Sequence, residues 1–478
     1  MSTQGTNRYK RLISNTAIFA VGTFASKLMV YLLMPLYTHC LLPEESSVSD
    51  LITSTANLLM PLATIGIIDG IFRFALDAGE KKKQVFSTGM AILCAGSVGF
   101  LLLSPILFLF DFVDGYSFLI VVYVLSANFQ YACASYVRAL GHTKVYALQG
   151  IINTTLTIVF NVAFLVFFKM GILGYVLSVV LANIIVTVIL FVGMKLSRDL
   201  SISCVDKQTA KDMLKYSIPL IPTQTMWFLT SLTDRLLVKN YCGDAVNGLF
   251  VYSYKIPTVL SLLTTIFIEA WQFSAVNDAD ENDRGQFFGN VFKSYMGLIF
   301  MAASGLVAFT KIFTRILLAD SYYGAWEFMP TLIIATVFSA LATFMGSVYL
   351  VEKKSVLSFL TALTGAAVNI GLSWVLAPYA GVQGVAFATI MSYFAVFIIR
   401  IVNARKYVSF GVHPLQLTVN TALISAQSVL MICEVPGWIM WQIGFMAVIF
   451  AFNGKPIFDG VTLAIRNKFS GADTKRVG

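Results

Sequence analysis

The chain has 478 residues, 58% of them hydrophobic and only 12% charged, with a mean hydropathy of +0.79. A soluble domain carries about a quarter charged residues, so this composition excludes an ordinary globular fold; recurring apolar runs of about 20 residues make the chain a multi-span membrane protein. The net charge of +9 does not point to nucleic acid, because Lys and Arg gather in short gaps between apolar runs, where the positive-inside rule applies.

The basic start "MSTQGTNRYKRL" has no small-residue cleavage site after it, and its apolar run is too long for a signal-peptide core, so it reads as a retained first span. In chain order the expected spans, about fourteen, fall near 12–39, 50–73, 84–110, 116–139, 143–168, 171–196, 213–240, 246–275, 286–310, 326–349, 355–377, 384–405, 412–433 and 436–453. One set of gaps and span ends is basic, with Lys81, Lys82 and Lys83, then Lys195, Arg198, Lys207, Lys211 and Lys215, then Arg400, Arg405 and Lys406 among others. The opposite set holds only Lys169, Lys239, Lys311 and Arg315, and includes acidic or neutral gaps such as "PEESSVSD" and "DFVDGY". This bias places both termini in the cytoplasm and supports an even number of spans. The six cysteines show no paired spacing; Cys40 and Cys242 both fall near the outer face, which leaves a disulfide between them open.

The chain repeats itself. "FNVAFLVFFKMGILGYVLSVVLAN" (160–183) resembles "VNIGLSWVLAPYAGVQGVAFATIMS" (368–392), with Asn161 matching Asn369, Gly171 matching Gly381 and Gly174 matching Gly384. Both copies cross in the same sense, which implies two parallel six-helix lobes. The expected fold is all-α and transmembrane: an N-terminal lobe over 1–200, a C-terminal lobe over 201–410, and two additional spans with a tail over 411–478.

Ionisable groups at bilayer depth are costly and mark a cavity or a transport path. The candidates are Lys27, Asp69, Arg73, Asp234, Arg235, Lys255 and Glu269. Lys27 shares a small-and-polar stripe with Thr16, Ala20, Thr23 and Tyr31, as a water-lined wall would. Asp69 and Arg73, four apart with the acid first, suit an intrahelical pair, although Arg73 is also placed to meet a headgroup. Asp234 and Arg235 point about 100° apart on a helix and cannot satisfy each other. One account turns Arg235 to the cargo and Asp234 to a neighbouring helix; the other solvates both at the outer interface. Lys255 and Glu269 share one helix face, with a kink expected at Pro257. Glu269, with Asp234 and Asp69, is a candidate for proton or sodium coupling or for structural pairing. No cofactor or metal is expected: the histidines form no ligand cluster, no phosphate-binding loop is visible, and Asp278-Ala279-Asp280 lies in a cytoplasmic loop with no room for a nucleotide-binding domain.

The stretches "SNTAIFAVGTFASKLMVYLLMPLYTHCLLPEE" (14–45), "PLATIGIIDGIFRFAL" (61–76), "YSIPLIPTQTMWFLTSLTDRLLV" (216–238) and "GLFVYSYKIP" (248–257), with the repeated Asn-to-Gly segment, extend across about the first 410 residues. Taken together they resemble the lipid-linked oligosaccharide flippases, the polysaccharide exporter branch of the MATE-like superfamily. Where that family often has a Gly-aromatic turn before the second span, this chain has "SSVSD" (46–50). The resemblance implies two lobes rocking about a central cavity in a bacterial cell membrane. It also implies an undecaprenyl-diphosphate-linked glycan as cargo, flipped from the cytoplasmic to the outer leaflet for surface polysaccharide synthesis, alongside other polysaccharide-assembly membrane proteins. Lys27, Arg235 and Lys255, with Arg73, would make the cavity positive, which suits a diphosphate. The competing reading is a cation-coupled MATE-type drug exporter, whose cationic substrates those residues would repel. A glycan-polymerising enzyme is a third, opposed by the two-lobe repeat and the lack of a large outer loop.

Overall fold

The computed structural model describes residues 33–77, 79–110, 112–277, 284–351, 355–408 and 410–454. These residues are nearly all helical, with no strand among them. Hydrocarbon offers no partner to a peptide N–H or C=O, so each spanning segment must satisfy its own backbone, as a helix does. The chain divides into two compact units between Lys239 and Asn240.

The first unit holds α1 (Met34–Cys40), α2 (Pro43–Ala63), α3 (Ile67–Asp77), α4 (Lys82–Leu103), α5 (Ser117–Ala139), α6 (Thr143–Asn161), α7 (Gly171–Gly193), α8 (Lys207–Ser217) and most of α9 (Ile221–Cys242). α5 is its pillar, packing against α2, α3, α6 and α7. Its buried residues feed two apolar clusters: Leu119, Ile120 and Val124 meet Leu51, Ile52 and Val176, while Tyr136 and Val137 meet Ile71, Phe86 and Val186.

The second unit holds α10 (Asp244–Ser253), α11 (Lys255–Asn277), α12 (Arg284–Ala308), α13 (Thr310–Leu317), α14 (Met329–Val351), α15 (Ser355–Ala404), α16 (Pro414–Ile432) and α17 (Trp438–Gly454). α14 is central, against α11, α12 and α15. Phe344 lies within ring-contact distance of Trp271, Phe288, Phe292 and Tyr295, and the Trp271 indole donates to Ser347 Oγ at 3.0 Å. Large apolar side chains such as Leu102, Phe167, Trp374 and Met440 face outward. A bilayer is the solvent that tolerates such a surface.

Two expected boundaries differ. The acidic gap "PEESSVSD" is not a loop, because α2 begins at Pro43 and the second span does not wait for residue 50. Pro43 occupies the first turn, where no amide is needed, and the Glu45 carboxylate accepts from Leu42 N at 2.9 Å. "SSVSD" is therefore helical, with Ser46, Ser47 and Ser49 buried. The span expected at 50–73 is not straight either: α2 and α3 meet at a 56° bend. Pro61 withholds one amide from the ladder, and Ile65 and Gly66 turn left-handed at φ 55° and 66°.

Among the described residues nine helices are long and apolar enough to cross a membrane, or ten if the bent pair is one span. One of the nine, Val356–Ala404, comprises two helices joined at Gly381; α17 is apolar but shorter, and α9, with its charges, is not among them. Most of the first expected span, Lys27 included, and the Asp278–Asp280 loop lie outside the described residues.

Candidate functional site

α9 carries the charges that composition makes conspicuous. Its hydroxyls are turned inward on the helix itself, Thr225, Thr230 and Thr233 donating to carbonyls one turn back at 2.8–3.0 Å. Asp234 is buried, only 2% exposed. Arg235, a neighbour but on another face, is half-buried and bonds through Nε to the Asp50 carboxylate on α2. Its Nη1 donates to the Ser231 carbonyl at 2.9 Å and to the Ser231 hydroxyl. One turn on, Lys239 pairs with Asp114 at 3.4 Å, in the tight turn before α5. Within the first unit, two successive turns of α9 are thus ion-paired to α2 and to that turn.

Asp69 is half-buried in the first turn of α3, and Arg73 is exposed one turn later on the same face. Lys255 is half-buried and opens α11 after a break at Tyr254. The helix is interrupted there for one residue, within a stretch that runs on as a single span over Asp244–Ile268, and Pro257 accounts for the interruption, because its ring excludes the Ser253 carbonyl from the ladder. The Glu269 side chain, like Lys27, lies outside what is described. The described cysteines, Cys40 and Cys242 included, are free thiols. Among the described residues no three His, Cys, Asp or Glu side chains form a cluster that would hold a metal ion.

The repeat shows in backbone geometry. Gly171 and Gly381 both have positive φ, 55° and 53°, each at the turn into the next helical stretch. Gly174 and Gly384 each face the preceding stretch so closely that a Cβ would lie 3.0 Å from Phe164 Cβ in one copy and 2.7 Å from the Leu376 carbonyl oxygen in the other. Asn161 and Asn369 are both fully buried, Asn161 donating to Tyr37 OH at 2.9 Å and Asn369 to Thr389 Oγ1 at 3.2 Å.

The sequence reading did not single out Asp50, Asp114 or Ser231 as partners. Asp50 closes the acidic gap "PEESSVSD" at the expected start of the second span, and Asp114 falls in the gap "DFVDGY". The helix-start signal at Pro43 and Glu45 would have moved Asp50 onto α2. Arg400, expected as an ordinary cation at a span end, is buried, with Nη1 donating to the Ala342 carbonyl at 2.8 Å and Nε to Thr361 Oγ1 at 3.1 Å. Gly346 makes room for it, since a Cβ there would lie 2.6 Å from Nη1. Lys311 sits 4.0 Å from the Trp326 ring centroid and 4.5 Å from that of Trp438, and pairs with Glu434.

Three comparisons bear on these features. Among solved structures, the lipid II flippase MurJ in an inward closed conformation matches with a TM-score of 0.72 at 13% identity, over 93% of this chain and 100% of that one. An inward-facing multidrug resistance MATE family transporter of the MOP superfamily matches at 0.63 and 14%, over 82% and 98%. A MOP superfamily transporter from Pyrococcus furiosus matches at 0.59 and 14%, over 83% and 95%. No curated protein matches the chain in sequence. The fold is therefore that of the MOP-superfamily transporters, in a multi-pass membrane protein. The profile of one family, described as Polysaccharide biosynthesis protein, matches residues 12–272, which is 261 of the 478. With more than half its length matched, the chain belongs to the polysaccharide biosynthesis protein family.

Proposed function

We propose that the protein flips an undecaprenyl-diphosphate-linked oligosaccharide from the cytoplasmic to the outer leaflet of a bacterial cell membrane, by alternating access, for surface polysaccharide synthesis. The carrying observation is a joint one. A chain of the polysaccharide biosynthesis protein family has a fold like that of a lipid II flippase over 93% of its length, whereas the MATE transporter matches over 82%. Both termini lie in the cytoplasm on this reading, because the basic gaps are on that side.

Lys27, Arg73, Arg235 and Lys255 are the cations assigned to the diphosphate. A guanidinium that binds a carboxylate binds a phosphate by the same two-pronged geometry. Arg235 would therefore exchange Asp50 for the cargo during the cycle, releasing α9 from α2 as it does so. Glu269, Asp234 and Asp69 are the carboxylates assigned to proton or sodium coupling or to pairing among themselves and the cations. No catalytic step is assigned. Other membrane proteins of polysaccharide assembly would supply and receive the cargo.

Mass spectrometry of membrane lipids from cells lacking the protein tests the reading. Build-up of an undecaprenyl-diphosphate glycan, with loss of the surface polymer, is expected. An unchanged lipid profile in a strain without a second flippase would overturn it in favour of the cation-coupled drug exporter, the reading that the MATE likeness supports.

A further inference from the structure

Between α7 and α9 the chain leaves the spanning bundle and returns through a strap, 194–206, and the short helix α8. The strap is pinned to α4. Ser87 Oγ donates to the Asp199 carbonyl at 3.0 Å and accepts from Ser201 N at 2.9 Å, and Thr88 Oγ1 accepts from Asp206 N at 3.1 Å. Tyr136 OH donates to the Asp199 carboxylate at 3.1 Å, and Gln84 reaches Thr209 at 2.8 Å.

α8 itself is seated on glycines. Met213 and Ser217 are fully buried. A Cβ on Gly66 would lie 2.9 Å from the Ser217 carbonyl oxygen, one on Gly70 2.6 Å from Ser217 Oγ, and one on Gly89 3.4 Å from Met213 Cε. The buried face is thus committed to α3 and α4, beside the bend at Gly66.

The other face is left with Lys207, Lys211 and Lys215, at four-residue spacing and all exposed. Lys81, Lys83, Lys195 and Arg198 are also exposed on the neighbouring segments, against Asp206, Asp212 and the partly covered Asp199. Apolar side chains stand bare in the same segment: Ile202 is 93% exposed, and Leu200, Val205, Tyr216 and Ile218 are each at least 40% exposed. Bare apolar groups suit a partner protein or a membrane, and the start of this strap directly after the span Gly171–Gly193 favours the membrane. Lysines interleaved with uncovered apolar groups, a few residues from two spans, match the boundary between headgroups and acyl chains.

We propose that α8 and its strap form a docking surface for anionic phospholipid headgroups of the surrounding bilayer. Lys207, Lys211 and Lys215 bind phosphate, and Ile202 and Ile218 enter the acyl boundary. The lipid holds α8 down on α3 and thereby steadies the bend between α2 and α3. This lipid contact is separate from the transport path and independent of the cargo.

The test is amide hydrogen exchange on the full-length protein in nanodiscs of phosphatidylcholine alone, or with phosphatidylglycerol. A lysine at an anionic surface contributes roughly fivefold to binding, so exchange over 207–217 is expected to slow at least about fivefold with phosphatidylglycerol. The triple variant Lys207→Gln, Lys211→Gln, Lys215→Gln should lose the difference, and the corresponding triple Lys→Arg variant should keep it. Equal exchange of the wild-type protein in both nanodiscs would overturn the proposal, as would a Gln variant that still responds. Slowing by polyglutamate in neutral nanodiscs, with none by phosphatidylglycerol, would replace the lipid with an acidic protein partner. Transport is not measured, so failure here and failure of the flippase reading are separable.

Discussion

Arg235 and Asp50, 185 residues apart, bond directly through guanidinium and carboxylate and join α9 to α2. Lys239 and Asp114 add a second tie one helical turn away. Opposite charges in an oily chain are thereby explained without a bare charge in hydrocarbon, since each of these two cations has a carboxylate partner and the Arg235 guanidinium also engages Ser231.

This pair is half-buried, so removing one partner should cost about 2 kcal/mol, between the values for exposed and buried pairs. Asp50→Asn and Arg235→Gln are each expected to lower the unfolding midpoint of the detergent-purified protein. The charge-swapped double variant should recover part of that loss. A double-mutant cycle with no coupling between the two positions would contradict the bond. If Arg235 also binds cargo, the swap should restore stability and not glycan export, which lipid analysis of complemented cells reads separately.

The repeated glycines separate two physical causes. Gly381 adopts φ 53° and ψ −133°, a region that residues with a Cβ avoid, and Gly384 leaves only 2.7 Å between a Cβ and the Leu376 carbonyl oxygen. Gly381→Ala and Gly384→Ala should each destabilise by about 1–3 kcal/mol. Gly371→Ala, with nothing within 4 Å of the added carbon, should be neutral or slightly stabilising in the same helix. Thermal unfolding of the three variants in one detergent checks the order; equal midpoints would remove the backbone argument.

These glycines also show what a sequence can disclose. Asn161, Gly171 and Gly174 were legible because they recur in a second copy, and for the glycines local sterics demand the residue type. The break at Tyr254 was legible from Pro257 for the same reason. Asp50 and Asp114 were not, because their partners are 185 and 125 residues away and nothing local marks a long-range ion pair. The start of α2 at Pro43 was missed because hydropathy dominated the reading, although Pro at the first turn and Glu45 two positions later carry the signal. Arg400 was read as an ordinary cation at a span end, since its burial depends on the gap that Gly346 leaves in another helix.

The C-terminal helices, read from sequence as an addition with no counterpart in the repeat, are stitched to one another by amides. Asn453 Oδ1 accepts from Gln416 at 2.9 Å and Asn420 at 2.9 Å, and its Nδ2 donates to Asn420 Oδ1 at 2.7 Å. Gln427 reaches α12 at Ser304 by two further bonds. Asn453→Leu would strand the Gln416 and Asn420 donors in an apolar bundle, at about 1–2 kcal/mol. Cysteine cross-linking between α16 and α17 in membranes is expected to weaken in that variant. An unchanged cross-linking yield and unfolding midpoint would mean that packing, not the amides, holds the pair.

Asp206 gives the clearest pH dependence. It caps α8, its carboxylate accepting the Thr209 hydroxyl and the Thr209 amide, both at 2.7 Å. The hydroxyl bond first, then the amide bond, lower its pKa below the ordinary carboxylate value. A lowered pKa means the folded helix favours the ionised form, so the cap contributes fully at neutral pH and is lost only as pH falls through that lowered value, beneath the ordinary carboxylate range. Exchange of the first-turn amides of α8, corrected for its intrinsic pH dependence, should therefore be flat from neutral pH down to the ordinary carboxylate range and rise below it. In Asp206→Asn the side-chain oxygen still accepts but does not titrate, so the rise should vanish. In Asp206→Ala these amides should be fast at every pH. A wild-type rise that survives in the Asn variant would assign the acid sensitivity to a different carboxylate.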